Sequence, residues 1–479
     1  FIFHGFLDPF IIDGSTNVTM KNFSIDFIRT FDSEAKILAE NPDGLDVEFS
    51  KAYPYRVDNH ILVFTDGGDQ PRETSTKSRE VLYPFGDLLE FDPIKREPAF
   101  MAQDYWCANG MPVKEVGGRK VRLLIPGLKG TQGNIIVFGA KERAVPGIVI
   151  TGSENTLLDH VTIYHCGGMG VIAQRSRDIN LQYVCVTPTP GSGRVVSVTA
   201  DATHFVNCHG KIEMGHCLFE CQKDDASNLH GIYARIASRI DDETSLVQLV
   251  HPQQFGFDFI HPGTQLELVH GPSMETFGKA KAKSVERINK EYTRVVCEQP
   301  LPPELKAGDV VAEAGDYPEV YIHDCTLRGN RARGLLLNNR GKTLVENNYF
   351  HIPGAALLLE GDARFWFEQG GTRDCVIRGN TFDDCLYGVW GKAVIEVGSG
   401  IAENEWATSR YNKNVTIEDN TFRGFDPRLL KAYSVDGLIF RDNKIETTTD
   451  YPDQHPDAKP FDVEFCDHVQ LKPPAPPAK

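Results

Sequence analysis

The sequence lacks several features that would place it in common functional classes. It has no long apolar run of the kind that spans a membrane as a helix, so no membrane span is predicted. Basic residues are scarce, because 50 Lys and Arg stand against 66 Asp and Glu, a formal net charge of −16. Nucleic-acid binding needs a basic surface, so we expect no nucleic-acid partner, and a polyanionic substrate is disfavoured.

Close cysteine pairs are also absent. The 11 cysteines include no Cys-x-x-Cys motif, so a zinc site is not predicted. Several of them fall at apolar positions of a repeat, where a thiol behaves as a small hydrophobic group. We therefore expect buried free thiols and no disulfide framework. The chain begins FIFHGFLDPF without an initiator Met, which indicates a piece of a longer gene product that has lost any signal peptide.

What the sequence does contain is a short repeated segment rich in β-branched and aromatic residues. It recurs as NVTMKNFSIDF, LLDHVTI, LQYVCV, MGHCLF, YIHDCTL, LVENNYF, VIRGNTF, VTIEDNTF and LIFRDNKI. The segments can be aligned on the residue that lies two positions before the final apolar residue. The residues at this position form one column: Phe23, Val161, Val184, Cys217, Cys325, Asn348, Asn380, Asn420 and Asn443.

The spacing of this column predicts the fold. Neighbouring members are repeatedly 23 residues apart, as are Cys325 and Asn348. A period in the low twenties built from short strands is typical of a solenoid with one turn per repeat. The Leu-x-x-Leu-x-Leu frame of leucine-rich repeats is absent, so we predict an all-β, right-handed parallel β-helix. The four asparagines should stack at an inward turn, each amide bonding the next.

Two stretches interrupt the repeat. Residues 28–147 and 234–318 hold strand-like pieces such as HILVFTD and SLVQLVH, separated by Gly and Pro turns. Hairpins at such short intervals predict two small antiparallel β-barrel domains inserted into the solenoid, where they would wall a groove. The remaining assignments are residues 1–27, 148–233 and 319–460 to the β-helix, and residues 461–479 to an extended or disordered Pro-rich tail.

The central stretch of the chain carries the candidate chemistry. The pentapeptides DATHF, which begins at Asp201, and DASNL, which begins at Asp225, are alike and lie 24 residues apart, about one coil. Adjacent strands are about 4.8 Å apart, so Asp201 should converge with the pair Asp224 and Asp225. Clustered carboxylates raise one another's pKa, and a protonated acid beside an ionised carboxylate is what glycoside hydrolysis requires.

Other interpretations of these aspartates stay open. Asp pairs often cap turns, and clustered carboxylates also suit calcium. Successive side chains of a strand point to opposite faces, so Asp224 and Asp225 can serve one site only where the chain bends or bulges.

The stretch TADATHFVNCHGKIEMGHCLFECQKDDASNLHGIY resembles glycoside hydrolase family 110, and HCGGMGVIAQRSRDINL, the ladder and the two inserts extend the resemblance over most of the chain. Members are exo-acting α-1,3-galactosidases, including enzymes that remove the terminal galactose of the blood-group B antigen. The resemblance implies an inverting reaction that needs no metal or other cofactor. It implies Asp224 as the general acid, with Asp201 and Asp225 holding and deprotonating the attacking water. A secreted or periplasmic bacterial protein acting on glycans with terminal α-galactose is the matching expectation.

Catalytic geometry adds one expectation. Carboxylates stacked on adjacent coils would lie near the ~5 Å typical of retaining enzymes, whereas inversion needs about 6.5–9.5 Å. Asp224 should therefore be displaced from the stack formed by Asp201 and Asp225.

Further residues are candidates for contact with the sugar, since carboxylates bind hydroxyl pairs and aromatic rings pack on sugar faces. Arg333 aligns with Asp225 through the repeat. The predicted substrate-binding residues are His204, Asn228, His230, Arg333, Asn338, Glu360 and Trp366, with Trp390 and Glu396 as further candidates.

The alternatives come from three classes. A polygalacturonase-like hydrolase is also a β-helix with an Asp trio, but it would need basic residues for uronate carboxylates, which the acidic composition disfavours. A polysaccharide lyase would need an Arg or Lys base. In a non-catalytic carbohydrate-binding solenoid or a phage-spike adhesin, the acidic residues would be incidental. The sequence is compatible with an oligomer and does not specify one.

Overall fold

The computed structural model describes most of the chain, namely residues 1–67, 80–107, 110–398 and 400–472. Within these ranges the regular structure is β apart from two 3₁₀ turns, Pro252–Gln254 and Glu403–Glu405. No helix in the described part of the chain is long and apolar enough to cross a membrane. The predicted all-β class is confirmed.

Parallel strands stack into a solenoid whose coils form three columns. One column is a separate sheet, with the parallel strands Phe10–Asp13, Ile148–Thr151, Val171–Gln174, Thr203–Val206, Ser227–Ile232, Leu335–Leu337, Leu357–Leu359, Ile395–Val397, Leu430–Tyr433 and Phe461–Glu464. The short strand Glu368–Gln369 pairs antiparallel with Ser227–Ile232 at its edge.

The other two columns are joined by the long strands Thr16–Phe27 and Glu154–Ile163, each of which contributes to both. The first of the two continues through Arg177–Gln182, His209–Gly215, Glu319–His323, Lys342–Glu346, Asp374–Arg378, Asn412–Glu418, Val435–Arg441 and Asp467–Leu471. The second consists of Ile2–Phe3, Cys185–Val186, Leu218–Glu220, Thr326–Arg328, Tyr349–His351, Thr381–Asp383, Thr421–Gly424 and Lys444–Thr447.

A buried asparagine ladder runs along the C-terminal coils. The backbone N–H and the side-chain amide of Asn348 both donate to Oδ1 of Asn380, at 2.9 and 3.0 Å. Asn380 makes the same pair of bonds to Asn420, and Asn420 to Asn443. The predicted asparagine stack is confirmed, and its first member also accepts the backbone N–H of Cys325 at 2.9 Å.

Most of the cysteines lie in the solenoid, whereas Cys107 and Cys297 belong to the two inserts. All 11 are free, and all except Cys185 and Cys466 are buried. Cys217 and Cys325 occupy the ladder position on adjacent coils, where the backbone N–H of Cys217 lies 3.3 Å from Sγ of Cys325. The expectation of buried free thiols is confirmed for nine of the 11.

Both inserts are antiparallel. The first is one eight-stranded sheet of Ser33–Asn41, Gly44–Phe49, Phe85–Asp92, Glu97–Pro98, Tyr105–Trp106, Val113–Gly117, Lys120–Leu123 and Ile135–Ala140, beside the hairpin Tyr55–Asp58 and Ile61–Phe64. The second is a closed barrel of Ala234–Arg239, Thr244–Gln248, Gln265–Val269, Thr276–Arg287, Tyr292–Cys297 and Val310–Glu313. Among the described residues of the first insert, strand pairing does not close the sheet into a ring.

The solenoid extends further toward the C-terminus than predicted. Strands Phe461–Glu464 and Asp467–Leu471 pair in parallel with the preceding coil, so the assignment of residues 461–479 as a tail is wrong for this part. The physical reason is an alternation of apolar and polar residues in FDVE and HVQL that adds one more coil. Residues 473–479, which hold the Pro-rich end, lie outside the described residues.

Replacing Asn380 by Ala should destabilise the solenoid. The change removes the acceptor of two bonds from Asn348 and the donor to the carbonyl of Val345, all in a buried setting. Each of these three stranded groups costs about 1–3 kcal/mol, so we expect a loss of at least about 3 kcal/mol in the free energy of unfolding, measured by urea denaturation. The exposed Lys444→Ala is the matched control, and an equal effect of both changes would contradict the ladder's role.

Candidate active site

Parallel pairing stacks three of the predicted functional residues on consecutive coils. The residues two positions after Asp201, Asp225 and Arg333 pair with one another in register. Backbone bonds extend this register, since Ala202 N–H donates to the carbonyl of Asp225 at 3.1 Å. The expected one-coil relation between Asp201 and Asp225, and the alignment of Arg333 with them, are therefore present in the structure.

Side chains reinforce this stack. The backbone N–H of Asp225 donates to Oδ1 of Asp201 at 3.2 Å, and the backbone N–H of Arg333 donates to Oδ1 of Asp225 at 2.9 Å. The guanidinium of Arg333 also donates to both carboxylate oxygens of Asp225, from Nε to Oδ1 at 3.0 Å and from Nη2 to Oδ2 at 2.9 Å. Each carboxylate is thus fixed by the coil that follows it.

Asp224 reaches the same site because the chain bends. No strand covers the residues between Leu218–Glu220 and Ser227–Ile232, so the alternation of a strand does not apply to this pair. Lys223 turns the other way and forms a buried ion pair with Asp87 of the first insert. The bend required for Asp224 and Asp225 to share one site is present.

Asp224 has its own cationic neighbours. Arg143, which follows the last strand of the first insert, donates to Oδ2 of Asp224. Arg331 lies 3.4 Å from Oδ1 of Asp224 through Nη1. Arg331 is held in place by Asp104, which accepts from its Nε and Nη2 at 2.7 and 2.9 Å, and by the ring of Trp390, 4.5 Å from its guanidinium carbon.

Different neighbours separate the acidities of the adjacent aspartates. Burial, aided by the two neighbouring carboxylates and opposed by Arg333, raises the pKa of Asp225 to about 7. Burial also acts to raise the pKa of Asp224, but the guanidiniums of Arg143, Arg331 and Arg333 outweigh it and lower that pKa to about 2. The unliganded site therefore has a carboxyl that titrates near neutral pH beside one that stays ionised.

His204 and His230 lie behind Asp201. His204 bonds Oδ2 of Asp201 through Nδ1 at 2.7 Å and Nε2 of His230 through its own Nε2 at 2.9 Å. His230 in turn bonds the carbonyl of Gly231 through Nδ1 at 2.7 Å. Both rings were predicted to contact the sugar, but the structure gives every ring nitrogen a partner within the protein.

The aspartates open into one cleft. Its lining includes all the predicted residues except His230. The lining residues are Arg143, Met169, Asp201, His204, Asp224, Asp225, Asn228, Gln253, Arg333, Leu336, Asn338, Glu360, Gly361, Asp362, Trp366 and Glu368.

The remaining predicted sugar contacts have chemistry suited to hydroxyl groups. Oδ1 of Asn228 is buried and has no hydrogen-bond partner among the described residues, so it is available to a ligand. Oδ1 of Asn338 accepts the backbone N–H of Glu360 at 2.8 Å, and burial raises the pKa of Glu360 to about 7. The ring of Trp366 is 41% exposed at the cleft.

Two further candidates have other partners. The indole N–H of Trp390 donates to Oδ2 of Asp104 at 3.0 Å, so this ring supports Arg331. Glu396 accepts the backbone N–H of Lys392 at 2.6 Å.

Sequence reasoning missed Arg143, Gln253 and Glu368. Arg143 comes from the end of the first insert, and Gln253 lies on the 3₁₀ turn of the second. Glu368 lies on a two-residue strand beside Ser227–Ile232. All three lie outside the repeat, so no spacing or motif in the sequence marks them.

A cation is the other occupant that this donor set could hold. One oxygen from each of Asp201, Asp224 and Asp225 lies within 4.8 Å of the others, and oxygen ligands suit calcium. Arg333 on Asp225 and Arg143 on Asp224 already supply positive charge to these carboxylates. The guanidiniums take up lone pairs that a metal ion would need, so the set fits a metal poorly.

Known families match both inserts and the C-terminal part of the solenoid. Residues 33–136 match the GLAA-B β-barrel domain I, and residues 244–311 match the GLAA-B β-barrel domain II. Residues 310–454 match the right-handed β-helix region. The predicted right-handed β-helix is thus confirmed.

Curated relatives align over nearly the whole chain. Alpha-1,3-galactosidase A of Shewanella woodyi is 35% identical over 97% of this chain and 75% of its own length. Alpha-1,3-galactosidase B of Phocaeicola vulgatus is 34% identical over 98% of this chain and 79% of its length. The corresponding enzyme of Akkermansia muciniphila is 32% identical over 98% of this chain but only 58% of its length.

Among solved structures, the Family 28 exopolygalacturonase of Yersinia enterocolitica aligns with 69% of this chain and 48% of its own, at 11% identity and a TM-score of 0.33. That similarity is too low to bear on the reaction. The curated relatives, 34–35% identical over nearly the whole of this chain, show instead that the chain belongs to the family of the α-1,3-galactosidases A and B.

Proposed function

We propose that this chain is an exo-acting, inverting hydrolase of glycoside hydrolase family 110 that releases terminal α-1,3-linked galactose from blood-group B or linear Galα1-3Gal glycans. The observation that carries the proposal is the convergence of Asp201, Asp224 and Asp225 on one cleft. The printed names of the relatives support the substrate class. Because such glycans lie outside cells, we also propose that the protein acts outside the cytoplasm.

The proposed reaction is one acid–base displacement. Asp224 protonates the glycosidic oxygen as its bond to the anomeric carbon breaks. Asp201 and Asp225 orient a water on the opposite face of galactose and take its proton as the new bond forms. The two water-activating carboxylates are the stacked pair, whereas Asp224 sits on the adjoining bend with different partners. One oxygen of each carboxylate nevertheless lies within 4.8 Å of the others, which is closer than the separation of about 6.5–9.5 Å expected for inversion. The inverting assignment therefore depends on the family resemblance and is decided by the anomer of the first-formed product.

A general acid must carry a proton, but the neighbouring guanidiniums lower the pKa of Asp224 and so favour its ionised form. Asp224 is already buried, so a bound sugar can raise its pKa only by weakening the contacts with the guanidiniums of Arg143 and Arg331. The assignment of Asp224 as the acid therefore requires that Asp224 take up a proton when the substrate binds. Asp225, which titrates near neutral pH, is the nearest group in sequence that could supply it.

The cleft is suited to one terminal sugar. Arg143 of the first insert and Gln253 of the second both line it beside the coils, which supports the expectation that the inserts wall the site. Asn228, Asn338 and Glu360 offer hydrogen-bonding groups for galactose hydroxyls. We assign Trp366 to the sugar face, since an exposed ring at the cleft mouth can pack on apolar C–H groups.

The reaction product tests the proposal. With Galα1-3Gal as substrate, proton NMR should show β-galactose as the first-formed sugar, because the water attacks opposite the leaving group. The same rate is expected with EDTA, since the site supplies its own acid and base. Formation of α-galactose first would mean that one Asp is a nucleophile, and activity lost with EDTA but restored by calcium would show a metal requirement.

Substitution of each aspartate by Asn should separate the roles. All three variants should fold and lose about 10²–10⁴-fold or more in kcat on the disaccharide. Asp224→Asn should be spared on α-galactosyl fluoride or a nitrophenyl galactoside, whose leaving groups need no proton. Asp201→Asn and Asp225→Asn should be equally impaired on both substrate types. Recovery of Asp225→Asn instead of Asp224→Asn would exchange the acid and base assignments.

The pH profile on α-galactosyl fluoride tests Asp225 directly. A base must be ionised to act, and the pKa of Asp225 is raised to about 7. We therefore expect kcat/KM to be low below pH 7, to rise through about pH 7 as Asp225 loses its proton, and to level off above it. Asp225→Asn is the control that should lack this step. A wild-type profile that is flat across neutral pH would show that ionisation of Asp225 is not needed.

A further inference from the structure

A chain of buried hydrogen bonds leads away from Asp201 to groups that contact no substrate atom in the proposed reaction. It runs from Oδ2 of Asp201 to His204 at 2.7 Å, from His204 to His230 at 2.9 Å, and from His230 to the carbonyl of Gly231 at 2.7 Å. The side chains of Asp201 and His230 are each 4% exposed, and that of His204 is 12% exposed. Such a chain needs every proton to have a definite position.

The end of the chain determines those positions. A carbonyl oxygen only accepts, so Nδ1 of His230 carries a hydrogen. Burial and the neighbouring His204 lower the pKa of His230, although Glu368 opposes them. His230 is therefore neutral with a bare Nε2. That nitrogen has two neighbours, Nε2 of His204 at 2.9 Å and Oε1 of Glu368 at 3.5 Å, and only His204 can donate a hydrogen to it. His204 then has only Nδ1 left for Asp201.

The charges around His204 favour a proton on that nitrogen as well. Burial lowers the pKa of His204 and Arg143 acts in the same direction, but the hydrogen bond and charge of Asp201, with Glu368, outweigh them and raise it. An imidazolium donating to a carboxylate is a charge-assisted bond, which is stronger than a neutral one. His204 and Asp201 thus form a buried ion pair.

We propose that His204, oriented by His230, is a positioning residue that donates to the Asp201 carboxylate and holds it turned toward the attacking water. The inference rests on the proposed hydrolase function and extends it. Each water-activating carboxylate then has its own cationic donor: His204 donates to Asp201, and Arg333 donates to Asp225 on the next coil. Neither histidine then recognises the sugar, which differs from the role predicted for them from the sequence.

Kinetics of paired variants test the positioning role. His204→Phe should lower kcat about 10–100-fold, the usual loss for a supporting hydrogen-bond partner, with little change in KM. The loss should be equal on the disaccharide and on α-galactosyl fluoride, because water activation is common to both. His204→Asn, whose amide can still donate to Asp201, should recover part of the loss. A rise in KM with unchanged kcat would instead make His204 a sugar contact and overturn the inference.

Variants of His230 provide a matched pair. Gln at this position can place an oxygen near the old Nε2 and accept from His204, so His230→Gln should stay close to wild type. His230→Leu cannot accept and should resemble His204→Phe. Equal activity of the Gln and Leu variants would contradict the chain of bonds.

A spectroscopic measurement separates the inference from the proposed function. In protein labelled with ¹⁵N-histidine, both ring nitrogens of His204 should carry hydrogen at neutral pH, and Asp201→Asn should abolish this state. An active enzyme with a neutral His204 would overturn the inference alone. An inactive protein with a charged His204 would overturn the hydrolase proposal and leave the ion pair standing.

Discussion

Parallel pairing in register between successive coils is the constraint on which the site depends. It places residues about one repeat apart next to each other, so Asp201, Asp225 and Arg333 line up without being neighbours in sequence. The second insert separates Asp225 from Arg333 along the chain, yet the coil resumes in the same register after it. The same rule stacks the asparagines of the C-terminal coils. One mechanism thus builds both the stabilising ladder and the charged stack.

Burying three carboxylates together is unfavourable unless cations accompany them. The coils supply two of these cations, Arg331 and Arg333, and the first insert supplies Arg143. His204 adds a fourth positive group from the coil of Asp201 itself. The insert is therefore part of the electrostatic balance of the site as well as its wall.

Much of this arrangement could be predicted from the sequence because it is periodic. The asparagine column and the relation of Asp201 to Asp225 both follow from a spacing of one coil. Arg143 and Gln253 could not be found that way, since they come from inserts whose placement depends on tertiary packing. The hydrogen-bond partners of His204 and His230 could not be predicted for a related reason. Residue type suggests a polar contact, but only coordinates show which atom the contact uses.

Asp224 and Asp225 are held by different kinds of contact, and this difference bears on the roles proposed for them. Asp225 is clamped by a residue of its own column, so its geometry is as rigid as the coil. Asp224 instead lies on a bend, with Arg143 reaching it from another domain and Arg331 fixed on Asp104. The contact from Arg143 comes from outside the coil, so Asp224 can exchange this partner without disturbing the stack. That freedom suits a residue that must receive and release a proton in each turnover, whereas the stacked pair suits residues that hold a water in one place.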